Sequence, residues 1–244
     1  MTDLDGTLSE MVERPEDASL PSDVREALAS LHRRLPLVAV ISGRAARDVL
    51  RIVGLHQLTY VGNHGMERIE GGEHQVAEVF RPYLPEVRAA VRELRESLTT
   101  PGVWLEDKLL SLSLHYRHAP DQGEAHHRIR RALSSLPNRD RFRIIEGKRV
   151  VNLLPALGAS KGRAVSDLVS EYELSAALFI GDDITDVDAF RSIQALRRDR
   201  RFRGINVAVL GEEANPKVER EADFTLGSVE EVSHFLTRLA DELS

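Results

Sequence analysis

The 244-residue sequence predicts an α/β fold built on a mostly parallel sheet, and three observations carry that expectation. Apolar runs alternate with amphipathic stretches along most of the chain, the order that parallel strands and crossover helices require. Leu35 to Ile41 is apolar without interruption, as befits a strand buried on both faces. Polar clusters at residues 3–5, 42–44 and 181–186 follow apolar segments, where an open parallel sheet collects its ligand-binding groups.

The elements follow in order. Met1 to Asp3 reads as the end of a first strand, with Asp3 and Asp5 on one side and Leu4 on the other. A strand of typical length needs about three more residues before Asp3, so the natural chain is expected to begin upstream of Met1. Val24, Ala27, Leu28 and Leu31 mark a helix over Ser22 to Arg34, with Ser22 as its N-cap. After the strand ending at Ile41, a helix runs to about Ile52 and a short strand covers Leu58 to Val61. Gly71-Gly72 predicts a hairpin of Glu67 to Ile69 with Gln75 to Phe80.

From Arg81 the pattern changes. Pro82 and Pro85 open a helix to about Leu98, and strands follow over Val103 to Lys108 and Leu109 to Arg117. In the second of these, Leu110, Leu112, Leu114 and Tyr116 alternate with Ser111, Ser113, His115 and Arg117, the period of a sheet with one wet face. A helix over Asp121 to Leu136 and strands over Phe142 to Glu146 and Arg149 to Leu153 complete an α+β unit. Residues 81–156 are therefore expected to be a domain inserted into a core formed by 1–80 and 157–244. The α/β pattern resumes with a helix from Ser160 to about Tyr172 and a strand over Ala176 to Ile180. A helix, strands at Gly204 to Val209 and Asp223 to Leu226, and a last helix from Val229 to Leu243 follow.

Composition narrows the function. No apolar run approaches the roughly 20 residues of a membrane span, and a net charge of −6 disfavours nucleic acid. The absence of cysteine excludes disulfides and thiolate chemistry and makes the cytoplasm the expected location. Residues 82–156 hold 13 basic against 9 acidic side chains, a balance suited to an anionic substrate. Only four lysines occur, at 108, 148, 161 and 217, beside 29 arginines.

The polar clusters match the parts list of phosphoryl transfer. An aspartate can be the covalent nucleophile and a second carboxyl group the acid/base. Several hard carboxylate oxygens favour Mg²⁺. A hydroxyl and an ammonium can hold the phosphoryl oxygens. Asp3, Asp5, the 182–186 aspartates, Ser42 and Lys161 fill these roles. Each alone is also compatible with a turn, a helix cap or a surface charge; the order and the strand-end placement together favour chemistry.

These four motifs, Asp3-Leu4-Asp5-Gly6-Thr7-Leu8, Ile41-Ser42-Gly43-Arg44, Lys161-Gly162 and Gly181-Asp182-Asp183-Ile184-Thr185-Asp186, resemble those of the haloacid dehalogenase superfamily of phosphohydrolases. The resemblance implies a Rossmann-like core with an inserted cap, Asp3 as nucleophile and Asp5 as acid/base. It also implies Mg²⁺ held by Asp3, the Asp5 main-chain carbonyl and Asp182, with Asp183 or Asp186 assisting.

More narrowly, the chain is similar to trehalose-6-phosphate phosphatases at Gly62-Asn63-His64-Gly65-Met66-Glu67, Glu106-Asp107-Lys108, His115-Tyr116-Arg117 and Gly147-Lys148. That likeness implies a trehalose 6-phosphate substrate, bound by Arg44, Asn63, His64, Glu106, Lys108, Lys148 and Asn152. A trehalose-phosphate synthase is the implied protein partner, with neither nucleic acid nor membrane. Asn152 stands where the family usually has glutamate and lacks the charge that strengthens such hydrogen bonds. A related substrate, sucrose phosphate or a phosphorylated glycosyl-glycerate, is the first alternative, and a non-catalytic regulatory partner of a synthase the second.

Overall fold

The computed structural model describes residues 1–12, 15–147, 149–211 and 214–243. In chain order, the first part holds α1 (Ser22–His32), β1 (Ala39–Ile41), α2 (Ala46–Val53), β2 (Thr59–Gly62), β3 (Glu67–Glu70) and β4 (Glu73–Val76). The middle holds α3 (Leu84–Ser97), β5 (Trp104–Asp107), β6 (Leu112–His115), α4 (Gln122–Ser134), β7 (Phe142–Gly147) and β8 (Val150–Pro155). The last part holds α5 (Lys161–Glu171), β9 (Ala176–Gly181), α6 (Asp186–Leu196), β10 (Arg203–Val209), α7 (Pro216–Glu221), β11 (Phe224–Leu226) and α8 (Val229–Glu242). The chain divides into two units, residues 1–75 with 160–244, and residues 76–159. The middle unit thus starts five residues earlier and ends three later than the 81–156 read from the sequence. No helix among the described residues is long and apolar enough to cross a membrane.

In the first unit the opening residues occupy the centre of the sheet. Thr2 N–H donates to the Ala39 carbonyl (3.0 Å) and Ile41 N–H to the Thr2 carbonyl (2.8 Å) on one side. Asp3 N–H donates to the Ile180 carbonyl (2.9 Å) and Ile180 N–H to the Met1 carbonyl (3.2 Å) on the other. This short parallel segment makes isolated bridges rather than a full strand. It joins β1, β2, β3 and β4 to β9, β10 and β11, all parallel to their neighbours except the antiparallel β2–β3 pair and the hairpin return. Side chains alternate between two layers. Val40, Ile180 and Val207 pack with Leu4 against α1, α2 and α8. Ala39, Ile41, Phe179 and Ala208 pack against α5, α6 and α7. Both faces are covered, which is why these strands are apolar at successive positions. Asp3, Ser42 and Gly181 therefore emerge side by side where the chain leaves three neighbouring positions of one sheet edge.

The second unit is an antiparallel sheet ordered β5-β6-β8-β7 with α3 and α4 on one face. Leu112, Leu114, Val151, Leu153 and Phe142 fill that face with Val87, Val91, Leu94, Ile129 and Leu133. Register sets Glu106 opposite Ser113 and Ser113 opposite Asn152, so these three lie in one row on the other, helix-free face.

Several sequence expectations shift. Pro21, not Ser22, is the N-cap of α1, and its carbonyl accepts the Arg25 N–H at 3.1 Å. Residues 35–38 lie outside β1, which holds only 39–41. Glu78–Tyr83 is a 3₁₀ helix instead of the end of a hairpin strand. The helix α7 was not expected; Asn215 Oδ1 accepts from Lys217 N–H at 2.9 Å and Pro216 sits at its first position.

Candidate active site

The Asp-x-Asp-Gly-Thr run has a specific shape. After Asp3 the chain turns back on itself, with Leu8 N–H donating to the Leu4 carbonyl (2.9 Å) and Gly6 N–H to the Ser9 carbonyl (2.8 Å). Gly6 has φ +76°, and a Cβ there would stand 2.2 Å from Asp182 Oδ2. Both facts demand glycine. Thr7 Oγ1 donates to Asp182 Oδ1 at 2.9 Å. The first motif thus holds the fourth in place, through a hydroxyl to which the sequence reading gave no role.

Asp3 is buried beside an equally buried lysine. Lys161, the first residue of α5, places Nζ 2.8 Å from Asp3 Oδ2 and 2.7 Å from Asp186 Oδ1. Asp186 is wholly buried at the start of α6, and its Oδ2 accepts the N–H groups of Asp182 (3.1 Å) and Asp183 (3.0 Å). A Cβ on Gly181 would come within 2.4 Å of Asp186 Cγ, so glycine is needed for that approach. With one oxygen on Lys161 and the other on two main-chain groups, Asp186 fixes the loop that carries Asp182.

Charge in this cluster is unbalanced. Asp3, Asp182 and Asp186 bring carboxylate oxygens within 4.8 Å of one another. Burial raises Asp3 well above the usual carboxylate range, with the charges of Asp186 and Asp182 adding to the effect and Lys161 opposing it. Burial and the Asp186 charge push Asp182 up to about 7. For Lys161, burial works against the ammonium, but the charges of Asp186 and Asp3 outweigh it and hold the group above its ordinary value. Fully ionised, three carboxylates against one ammonium would carry two uncompensated negative charges; these raised carboxyls are hard oxygen donors that a divalent cation would suit and keep ionised.

The remaining core residues surround this centre in two groups. Asp5 is paired bidentately with Arg44, Nε to Oδ2 and Nη2 to Oδ1, both at 2.7 Å. Its side chain is therefore turned to a guanidinium and lies outside the three-carboxylate group, as does that of Asp183. Ser42 is buried, and its Oγ accepts the Arg44 N–H at 3.1 Å. Asn63 and His64 follow β2 in left-handed conformations with φ +50° and +58°. His64 N–H donates to the Ser42 carbonyl (3.0 Å) and Asn63 N–H to the Arg44 carbonyl (2.7 Å). Gly43 lies close to the His64 ring; a Cβ there would be 2.6 Å from Cε1. Glu67 ties this region together, its Oε1 accepting from Asn63 Nδ2 (2.7 Å) and Ala46 N–H (2.8 Å) while Oε2 meets His74 Nε2 (2.6 Å). Glu67 closes the Gly62–Glu67 motif, but no local sequence signal marks this clasp.

In the second unit, Glu106 Oε2 lies 2.9 Å from His115 Nε2 and 3.5 Å from Lys108 Nζ. Burial opposes the charged form of Glu106, yet the His115 hydrogen bond and the Lys108 charge prevail and hold the carboxyl below its usual range. Asn152 Oδ1 accepts from Ser113 Oγ at 2.6 Å and its Nδ2 donates to the Ile145 carbonyl at 3.4 Å. Lys148 lies outside the described residues.

The two-sided α/β sheet and the α+β unit inserted in the chain share the fold of a haloacid dehalogenase-like hydrolase from Bacteroides thetaiotaomicron, with a TM-score of 0.67, 17% identity and coverage of 98% and 97% of the two chains. The chain belongs to the trehalose-phosphatase family, which matches residues 1–228. A probable trehalose-phosphate phosphatase of rice is 34% identical over 97% of this chain and 68% of the relative. A trehalose-phosphate phosphatase of Mycobacterium bovis is 33% identical over 99% of this chain, which spans 61% of that relative's length. The C-terminal domain of a Candida albicans trehalose-6-phosphate phosphatase shares the fold, with a TM-score of 0.76, 24% identity and coverage of 98% and 90% of the two chains.

Proposed function

We propose that this chain, a phosphoric monoester hydrolase by its family, removes phosphate from trehalose 6-phosphate to give trehalose and phosphate. The observation that carries the reading is Asp3 itself: a buried carboxylate at the sheet centre, 2.8 Å from the Lys161 ammonium and grouped with Asp182 and Asp186. Its fixed position is what a covalent nucleophile needs.

In the mechanism, an Asp3 oxygen attacks phosphorus as the bond to the sugar oxygen breaks, leaving an aspartyl-phosphate. Asp5 protonates the departing sugar oxygen, then takes a proton from the water that attacks phosphorus, which releases phosphate and restores Asp3. In this structure Arg44 holds both carboxylate oxygens of Asp5, at 2.7 Å each. The substrate phosphate is the anion able to draw Arg44 away and free Asp5 for proton transfer. Ser42 and Lys161 hold phosphoryl oxygens as charge redistributes. Asp3, the Asp5 carbonyl and Asp182 would hold Mg²⁺, with Asp183 or Asp186 supporting. The cation supplies positive charge that lets an anionic nucleophile meet an anionic phosphate.

The sugar hydroxyls are assigned to Glu106, Lys108, Lys148 and Asn152, with Asn63 and His64 serving the phosphate side. The carboxylate of Glu106 is already oriented by His115, so little ordering entropy remains to be lost when a hydroxyl binds. Phosphate release across a panel of sugar phosphates tests the reading. Clear preference for trehalose 6-phosphate, abolished by EDTA and restored by Mg²⁺, is expected. Equal turnover of glucose 6-phosphate, or a preference for sucrose phosphate, would overturn the substrate assignment.

A further inference from the structure

We propose that Trp104 is a stacking platform for a pyranose ring on the helix-free face of the second unit's sheet, and that it helps decide which sugar is accepted. Trp104 opens the edge strand β5 two residues before Glu106, so strand alternation puts both side chains on that face. Its cross-strand partner is His115. The two rings lie flat on each other, with centroids 4.1 Å apart and planes inclined by 5°. His115 in turn bonds Glu106 at 2.9 Å, and Lys108 Nζ approaches the same carboxylate oxygen at 3.5 Å. Indole, imidazole, carboxylate and ammonium thus form one braced row.

The imidazole covers one face of the indole, while 36% of the tryptophan stays exposed. A large aromatic group left open beside fixed charges points to a ligand more than to packing. The matching chemistry is specific. A pyranose presents a flat patch of C–H groups that suits an aromatic plane, and a rim of hydroxyls that suits a carboxylate and an ammonium. Glu106 and Lys108 can read the rim but not the flat face. Trp104 supplies that second contact and so discriminates among sugars by ring orientation. This inference rests on the reading above that the second unit receives the sugar.

Trp104 is the only tryptophan in the sequence, so intrinsic fluorescence of the full chain reports on it directly. Titration with trehalose, which carries the rings without the phosphate, should shift the emission saturably; inorganic phosphate should not. In Trp104→Ala, the ratio of kcat/KM for trehalose 6-phosphate to that for p-nitrophenyl phosphate should fall about 3- to 10-fold, the size of one aromatic contact. Trp104→Phe should keep most of the ratio. Emission unmoved by trehalose in a chain that hydrolyses trehalose 6-phosphate, or an unchanged ratio in Trp104→Ala, overturns the platform. Failure of the substrate reading looks different: the chain would turn over glucose 6-phosphate or sucrose phosphate as well as or better than trehalose 6-phosphate. Titration with sucrose and glucose then decides, a saturable shift with either one supporting the platform and no shift with any sugar overturning it.

Discussion

Replacing Lys161 with methionine isolates the electrostatic core of the site. Methionine has nearly the length of lysine and removes the charge, leaving Asp3 and Asp186 buried without the ammonium that lies 2.8 and 2.7 Å from them. Only 2% of the Lys161 side chain is exposed, so water cannot substitute for it. Breaking a buried ion pair by removing one partner costs about 3–5 kcal/mol. With a urea m-value of about 2 kcal/mol/M, the unfolding midpoint in metal-free buffer should fall by roughly 1.5–2.5 M. The sign of the pH dependence is also set. Burial already raises Asp3 and Lys161 opposes that rise, so without Lys161 Asp3 titrates further above its unfolded value, the native variant binds the extra proton and its stability falls as pH rises. The gap to the wild type should therefore narrow from pH 8 to pH 5. Because Trp104 lies in the other unit, the transition should be followed by far-UV circular dichroism or calorimetry. The double variant Lys161→Met/Asp186→Asn should recover about 1–3 kcal/mol relative to additivity. A single variant within about 1 kcal/mol of wild type at pH 8, with no coupling to Asp186, would refute the charge argument.

Three other outcomes follow from the same geometry. In Gly6→Ala the new methyl group would meet Asp182 Oδ2, so steady-state phosphatase assays should show kcat/KM lowered by about 100-fold with a native far-UV spectrum; a loss under about twofold would contradict that packing. Glu67→Ala strips the acceptor from Ala46 N–H, Asn63 Nδ2 and His74, and calorimetry should show a loss of about 3 kcal/mol, or roughly 6–12 °C in Tm. Glu67→Gln, which keeps one acceptor oxygen, should lose less, and equal losses would argue against the clasp. Glu106 titrates below its usual range when folded, so its stabilising share is complete above the unfolded carboxylate value and is lost as pH falls through the folded one. His115→Phe should raise the Glu106 titration midpoint followed by NMR, and an unmoved midpoint would show that His115 does not set it.

What the sequence disclosed is what local pattern can encode. Strict alternation across residues 111–116 separated the helix-covered face of the second unit from the open one. Burial on both sides of the first unit's sheet left β1 and β9 without a polar residue, and the polar clusters stood where those strands end. Long-range partnerships left no such trace. Thr7 and Asp182 are 175 residues apart, and Arg44 and Asp5 are 39 apart. Nothing in either local stretch says that a hydroxyl will hold a carboxylate or that a guanidinium will cover the second aspartate. Glu67 is similar, since its three partners come from α2, the loop after β2 and the hairpin. The helix α7 escaped notice because six residues are too few to show periodicity, although Asn215-Pro216 is a start signal.

The most direct test is a rapid acid quench of the chain with trehalose 6-phosphate and Mg²⁺, followed by peptide mass spectrometry. One phosphoryl group is expected on the peptide bearing Asp3, appearing before phosphate is released and absent in Asp3→Asn, which should also be inactive. Phosphate release at the wild-type rate by Asp3→Asn, or a phosphoryl group found on a different residue, would contradict the assignment of Asp3 as the nucleophile.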